Sequence, residues 1–498
     1  MMNDPEKSDG FKVPAKRPNN TEGSVAEGVE GRSSAKSNPS RQNVRRTQRR
    51  ESTPNELERI RQLARRDKKA RFTALLHHIT IDRFRSAYKG LNPKAKPGVD
   101  GVTWEEYGED LEANLEGLHA ALMRGAYRAK PSRRSYIPKT DGRMRPLGVA
   151  ALEDKIVQAA MVEVLNAVYE EDFLGFSYGF RPKRGTHNAL DALAVGIVRR
   201  KVNWVLDLDI RDFFGSISHT WMVRFLQHRI GDTRVIRLIQ KWLSAGVMEK
   251  GKWEPQGEIG TPQGATASPL LANVYLHHVF DLWAHDWRKR NARGDVIIVR
   301  YADDAVVGFQ YRREAERFQA ELTERFQKFG LELHPEKTRL IEFGRYAAQD
   351  RQERKLGKPP TFTFLGLRHI CGTSQAGKFV LVRHTDKKRL RAKLRAVKIE
   401  LNRRRHEDVD KQGEWLKSVI QGYLNYHAVP TNVHALEAFH RELKRFWCKA
   451  LRRRSQHDRT SWARMDQLEE RWLPKPRILH PWPEQRLDVK TQGKSPVR

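Results

Sequence analysis

In the stretch VIIVRYADDAVVGF, from Val296 to Phe309, two adjacent aspartates stand between two runs of mostly β-branched residues. No other segment restricts the fold so tightly. Neighbouring side chains in a strand point to opposite faces, so Asp303 and Asp304 cannot both enter one core. The pattern predicts two short strands, IIVRY and AVVGF, joined by a tight turn that carries the acids at its tip. Doubled acids on surface hairpins commonly serve solubility, and the dipeptide alone does not separate that from chemistry. A second acidic strand, WVLDLDIRDFF, shifts the balance, because Asp207 and Asp209 share a face by period two and Asp212 follows. Two carboxylate-bearing strands suit a hard divalent cation such as Mg²⁺, which prefers oxygen ligands and completes its shell from water and phosphate.

Charge points the same way. Lys and Arg number 94 against 61 Asp and Glu, a formal net charge of +33 with a pI near 10.2, so a polyanion is the expected partner. Only Cys371 and Cys448 occur, too few for a disulfide framework or a Cys-ligated zinc site. The N-terminus has no apolar signal-like run, and no segment of about 18 apolar residues exists to span a membrane. A cytoplasmic protein is the expectation.

Residues 1–55 are rich in Ser, Asn, Pro, Gly and Arg without apolar periodicity, and are expected to be a disordered basic extension. A helical pattern runs from Glu56 to Tyr88. Between about 130 and 380, β-rich runs (204–210, 296–309, 331–335 and 362–367) alternate with helical ones (152–170, 185–200, 268–290 and 314–329), which predicts an α+β fold. After about 384 the strand signals cease and two basic amphipathic stretches follow, predicting a helical second domain. The boundaries expected are 56–382, 383–480 and a tail over 481–498.

RYADDAVVGF and DLDIRDFFGSI together resemble motifs C and A of reverse transcriptases. GTPQGATASPLLANVYLHHVFD at 260–281 makes the resemblance specific to group II intron reverse transcriptase/maturases. YIPKTDGRMRPLGVAALEDKIVQ and FSYGFRPKRGTHNAL are similar to that family's fingers motifs, and LELHPEKTRLIEFG and FTFLGL to its motif D and primer grip. The likeness spans about 57–480. It implies a right-hand polymerase fold, fingers and palm, followed by a helical thumb and maturase domain, in a bacterial-type member. Relatives with a DNA endonuclease domain continue with paired cysteines, whereas this sequence stops at Arg498, so no such nuclease is expected.

The resemblance also implies roles. Asp209, Asp303 and Asp304 match the catalytic metal ligands, with Asp304 the more supportive one, and Mg²⁺, or Mn²⁺ as a substitute, as the ion. Asp207 is left as an exposed structural acid. Phe214 stands where the family places an aromatic beneath the sugar of the incoming nucleotide, and as a core aromatic beside Phe213 it would serve packing as well. Lys139 and Arg145 match positions that grip the triphosphate, Gln263 the residue that feels the nascent base pair, with Gly264 allowing close backbone approach, and Lys337 a general acid for pyrophosphate. Arg452, Arg453 and Arg454 end the block GYLNYHAVPTNVHALEAFHRELKRFWCKALRRR and are the expected RNA contacts.

The implied partners are group II intron RNA, an RNA template with a DNA primer, deoxynucleoside triphosphates and target DNA. Two other readings stay open: an RNA-binding splicing cofactor that keeps the polymerase fold as scaffold, and a domesticated relative in DNA repair or defence.

Overall fold

A computed structural model describes residues 56–138, 144–255, 257–261, 264–454 and 460–490. The expected extension over 1–55 and the candidate side chains of Lys139 and Gln263 lie outside the described residues. The strands are β1 (Ser132–Pro138), β2 (Met144–Val149), β3 (Trp204–Leu208), β4 (Val247–Glu249), β5 (Lys252–Glu254), β6 (Val296–Tyr301), β7 (Asp304–Phe309), β8 (Arg339–Glu342), β9 (Phe362–Phe364), β10 (Leu367–Thr373) and β11 (Phe379–Thr385). They form three sheets, in the orders β2-β1-β4-β5, β6-β7-β3-β8 and β11-β10-β9. The fold is mixed helix and sheet, as the alternating pattern predicts.

The middle sheet positions the acids. One of its faces, with Leu206, Leu208, Ile298, Val307 and Phe309, joins a core that also holds the helix Leu152–Asp172. The other, with Val205, Ile297, Val299, Val306 and Ile341, joins a second core with the helix Thr186–Arg199. Burial on both faces accounts for the unbroken apolar runs in β6 and β7. Each fully buried aliphatic side chain contributes roughly 1.5–3 kcal/mol, so a charge without a buried partner is tolerated only where both cores end. That place is the hairpin tip.

The helix Ser268–Leu276 starts on Pro269 in its first turn and passes through a π turn, His277–Asp281, into Leu282–Arg290. After β11 the chain is helical: Lys387–Arg403, Val409–His427, Val433–Arg452 and Trp462–Trp472 surround a third core containing Leu416, Leu443 and Trp447. The segment beyond residue 480 is not detached. Its helix Pro483–Lys490 packs on Thr186–Arg199, with Leu487 in the second core and Glu484 3.2 Å from Arg199. Arg486 and Arg383 share the buried Asp191, the latter at 3.3 Å.

Two sequence expectations need correction. The pattern over 56–88 is broken into Glu56–Arg66, a short 3-10 turn at Leu76–His78 and Ile81–Lys89. LELHP at 331–335 is no strand: Leu333 makes one isolated bridge to Ile210, and the strand beside β3 is β8.

Candidate active site

β6 and β7 pair from Val296↔Phe309 to Tyr301↔Asp304, which leaves only Ala302 and Asp303 in the turn. β3 and β7 pair from Trp204↔Phe309 to Leu208↔Ala305, and one further step of that register sets Asp209 beside Asp304. The three candidate acids therefore meet at one end of one sheet. Ala302 has φ +57°, a left-handed conformation that two-residue hairpin turns usually give to Gly or Asn. The turn is held from outside by 176–180, which runs beside β6. A Cβ on Gly179 would fall 2.2 Å from the Ala302 nitrogen, so only glycine allows this approach.

Asp209 is wrapped by the loop misread as a strand. The His334 amide donates to the Asp209 carbonyl at 2.8 Å, Thr338 Oγ1 donates to the same carbonyl at 3.3 Å, and Lys337 Nζ reaches Asp209 Oδ2 at 2.6 Å. Asp207 differs from the expected exposed acid. Its side chain is only 20% exposed and accepts from Arg339 at 3.3 Å, because β8 lies alongside β3 and brings Arg339 opposite it.

Burial and crowding raise the proton affinity of the turn acids. Asp303 lines a small void with Leu208, Ile210, Phe280 and Phe326, and this desolvation pushes its pKa up, with Asp209 adding to it and Arg145 and Arg300 opposing it. Asp304 is pushed up to about 7, first by desolvation and then by the charges of Asp303, Asp209 and Asp207. The Asp304 residue as a whole is exposed, so its mutual repulsion with the other acids weighs more than its surface area suggests.

Among the described residues no three His, Cys, Asp or Glu side chains already converge as a closed metal shell. The donor set itself fits a hard divalent cation: oxygen ligands, excess negative charge at one point, and carboxylates that only a cation would let ionise together.

The remaining candidates divide. Arg145 stands exposed on β2 opposite Ile137, near enough for its charge to lower the proton affinity of Asp303. Phe214 is half-buried, edge-on to the buried Phe213 at 5.4 Å, with its carbonyl fixed by the Thr261 amide. Gly264 has φ +106° and faces the carbonyl of Gly148 on β2, so the close backbone approach there comes from the protein's own strand. Arg452 donates to the Thr460 carbonyl at 2.9 Å and lies over Trp462, while Arg454 donates to the Glu407 carbonyl at 2.6 Å. Those two guanidinium groups are engaged within the chain, and Arg453 is exposed. Of the aromatics in this region, Trp447 and Tyr423 are core, whereas Trp462 is 51% exposed.

The sequence reading passed over Arg300, which precedes the acids in RYADD and is 1% exposed. All five of its guanidinium hydrogens are used. It donates to both oxygens of Asp281 at 2.7 and 2.6 Å, to Asn273 Oδ1 at 3.0 Å, to Ser177 Oγ at 2.7 Å and to the Ala302 carbonyl at 2.8 Å. Asn273 in turn donates to the Gly179 carbonyl at 2.7 Å. One signal was present: an Arg inside an otherwise apolar buried strand must have a charged partner.

With the geometry in place, known proteins can be compared. The reverse transcriptase (RNA-dependent DNA polymerase) family matches residues 137–369, which takes in both acidic strands and the first and middle sheets. The group II intron-encoded protein LtrA of Lactococcus lactis is 33% identical over 213 residues, 42% of this chain and 35% of that protein. These similarities place residues 137–369 with reverse transcriptases and support a likeness to group II intron-encoded proteins. Protein YkfC of Escherichia coli is 37% identical over 193 residues, 38% of the chain and 50% of YkfC. The putative COX1/OXI3 intron 1 protein of Saccharomyces cerevisiae is 26% identical over 426 residues, 72% of the chain and 50% of that protein. The chain thus spans half or less of the length of these relatives. A reverse transcriptase domain implies a polymerase fold of fingers and palm, with which the mixed helix and sheet structure agrees, and reverse transcriptases generally use divalent metal ions. No helix among the described residues is long and apolar enough to cross a membrane.

Proposed function

We propose that the protein is an RNA-directed DNA polymerase that also binds group II intron RNA and assists its splicing and mobility. The observation that carries this reading is the meeting of Asp209, Asp303 and Asp304 at one end of the palm sheet, within reach of Lys337 and Arg145. Asp209 and Asp303 are the principal ligands of Mg²⁺, for which Mn²⁺ can substitute, and Asp304 supports them. Bound there, the ions would activate a primer 3′-hydroxyl and stabilise the leaving pyrophosphate.

The chain's own side chains then have distinct tasks. Arg145, with Lys139, grips the triphosphate through charge-assisted hydrogen bonds. Phe214 lies under the sugar and excludes a 2′-hydroxyl by its bulk. Gln263 senses the new base pair. Lys337 leaves Asp209 and gives its proton to the departing pyrophosphate. The helices from Lys387 to Trp472 form the thumb and maturase domain, within the 383–480 boundary. Intron RNA meets their exposed cations, among them Arg453 and the outward row Lys388, Arg391 and Arg395 on the helix Lys387–Arg403. RNA template, DNA primer, deoxynucleotides and target DNA are the other partners.

Primer extension on an RNA template with Mg²⁺ as the only divalent ion tests the reading. The protein should synthesise cDNA, and Asp303→Asn, which keeps shape and removes a ligand charge, should lower the rate by orders of magnitude. Near-normal extension by that variant would reject the assignment.

A further inference from the structure

We infer that Arg300 is a positioning residue for the acidic turn, setting the affinity of the site for divalent cations through a network that ties β6, the helix Ser268–Leu276 and the segment 176–180 to Ala302. This rests on the polymerase reading only in taking Asp303 as a metal ligand. Four observations lead to it.

The turn needs support. Ala302 holds φ +57° without being glycine, a conformation that persists only where the surroundings over-determine it. Its next neighbour is Asp303, so any relaxation of Ala302 swings a ligand carboxylate.

The support is Arg300. Its Nη1 holds the Ala302 carbonyl at 2.8 Å, and its remaining hydrogens are committed to Asp281, Asn273 and Ser177, so the fork has no freedom left. Lysine, with one ammonium, cannot reproduce this planar five-donor arrangement.

The partners reach Arg300 through a special helix feature. Asn273 and Asp281 are eight residues apart, which in a regular α-helix leaves them about 80° apart around the axis. The π turn His277–Asp281 takes up an extra residue and brings the two to nearly the same face, where both meet Arg300. A helix distortion that serves only packing would not need to place its last residue on this guanidinium.

The outer wall is bound into the same network. Asn273 Nδ2 holds the Gly179 carbonyl, and Gly179 presses on the Ala302 amide. Arg300 also lines the void beneath Asp303.

Partners that orient metal ligands without touching the metal typically change affinity or activity by 10- to 100-fold when altered, on the order expected here. Arg300→Lys should therefore weaken Mn²⁺ binding, followed by electron paramagnetic resonance titration of the full chain, by about tenfold or more. The Mg²⁺ midpoint of primer extension should rise in parallel, with much of the rate recovered at saturating metal. Arg383→Lys is the control: it disturbs an equally buried pair, with Asp191, outside this network, and should lower thermal stability while leaving the Mn²⁺ affinity unchanged. A folded Arg300→Lys protein that binds Mn²⁺ as tightly as the parent overturns the inference. Should that variant fail to fold, Asn273→Ala removes one bond to Arg300 and the bond to Gly179, and is expected to weaken Mn²⁺ binding several-fold; parental affinity there overturns the inference equally. The two readings fail separately. Arg300-dependent Mn²⁺ binding without any cDNA synthesis by the parent protein would remove the polymerase assignment alone.

Discussion

The palm rim and the outer face of the C-terminal helices are opposites in the use of charge. At the rim a few acids stand in a chain with an excess of 33 positive charges, each fixed by register, a turn or a named partner. On the helix Lys387–Arg403 basic residues hold seven of the eleven exposed positions and are individually replaceable. A site that must place atoms depends on single residues, whereas a surface that must attract a polyanion depends on their sum. Substitution should respond accordingly.

The largest effect expected is a separation of two activities. Asp303→Asn should abolish cDNA synthesis yet leave splicing assistance largely intact, because a protein that stabilises a folded ribozyme acts by binding alone. Reversing Lys388, Arg391 and Arg395 together to Glu should weaken intron binding and flatten its salt dependence by up to about three charges' worth of slope. That variant should splice poorly at near-physiological Mg²⁺ and still extend a primer annealed at high concentration. The comparison breaks if Asp303→Asn loses splicing as badly as the triple variant. Arg452, Arg453 and Arg454 are a poorer choice for the experiment, since Arg452 and Arg454 hold backbone carbonyls and their loss would disturb local structure.

Smaller in effect is Phe214→Val, which should raise ribonucleotide incorporation relative to deoxynucleotide in single-nucleotide extension. Discrimination by a half-buried ring is steric, so opening the space relaxes it. An unchanged ratio would assign Phe214 to packing beside Phe213 alone.

The smallest and most distributed effect concerns acid. Burial holds His187, His277, His278, His369 and His427 neutral, with pKa values lowered to about 3 from an ordinary 6.5. A base whose folded pKa is depressed binds fewer protons folded than unfolded, so stability is lost as pH falls below 6.5 toward 3. Each histidine should lower stability progressively as the pH falls through that window. Urea midpoints at pH 7.5 and pH 5.5 measure it, and equal midpoints would contradict the buried, neutral state of these rings.

What could be read in advance follows from where periodicity is enforced. β3, β6 and β7 are legible because two cores force most of their residues to be apolar. The helices over 152–172 and 186–199 are legible from their many buried apolar residues, and that over 312–328 from the stripe Ala315, Phe318, Leu322 and Phe326. Strands of three residues, such as β4 and β5, are too short to show a period. LELHP alternates like a strand, but its polar groups serve Asp209. Asp207 looked exposed because nothing in its own strand foretells Arg339 arriving from β8. Arg300 was passed over, since its partners Asn273 and Asp281 stand some twenty to thirty residues earlier and meet it only through a π turn.

The helix Pro483–Lys490 has a mechanical consequence. The helical region enters from β11 at one end and returns through this helix to Thr186–Arg199 at the other, where Leu487 and Arg486 lock it to the palm. Between these ends His187 meets the Tyr426 carbonyl, Tyr426 donates to the Leu365 carbonyl and Val429 enters the second core, so the region cannot swing away like a pendulum on a single linker. Any hinge-like movement of these helices would have to break those contacts together.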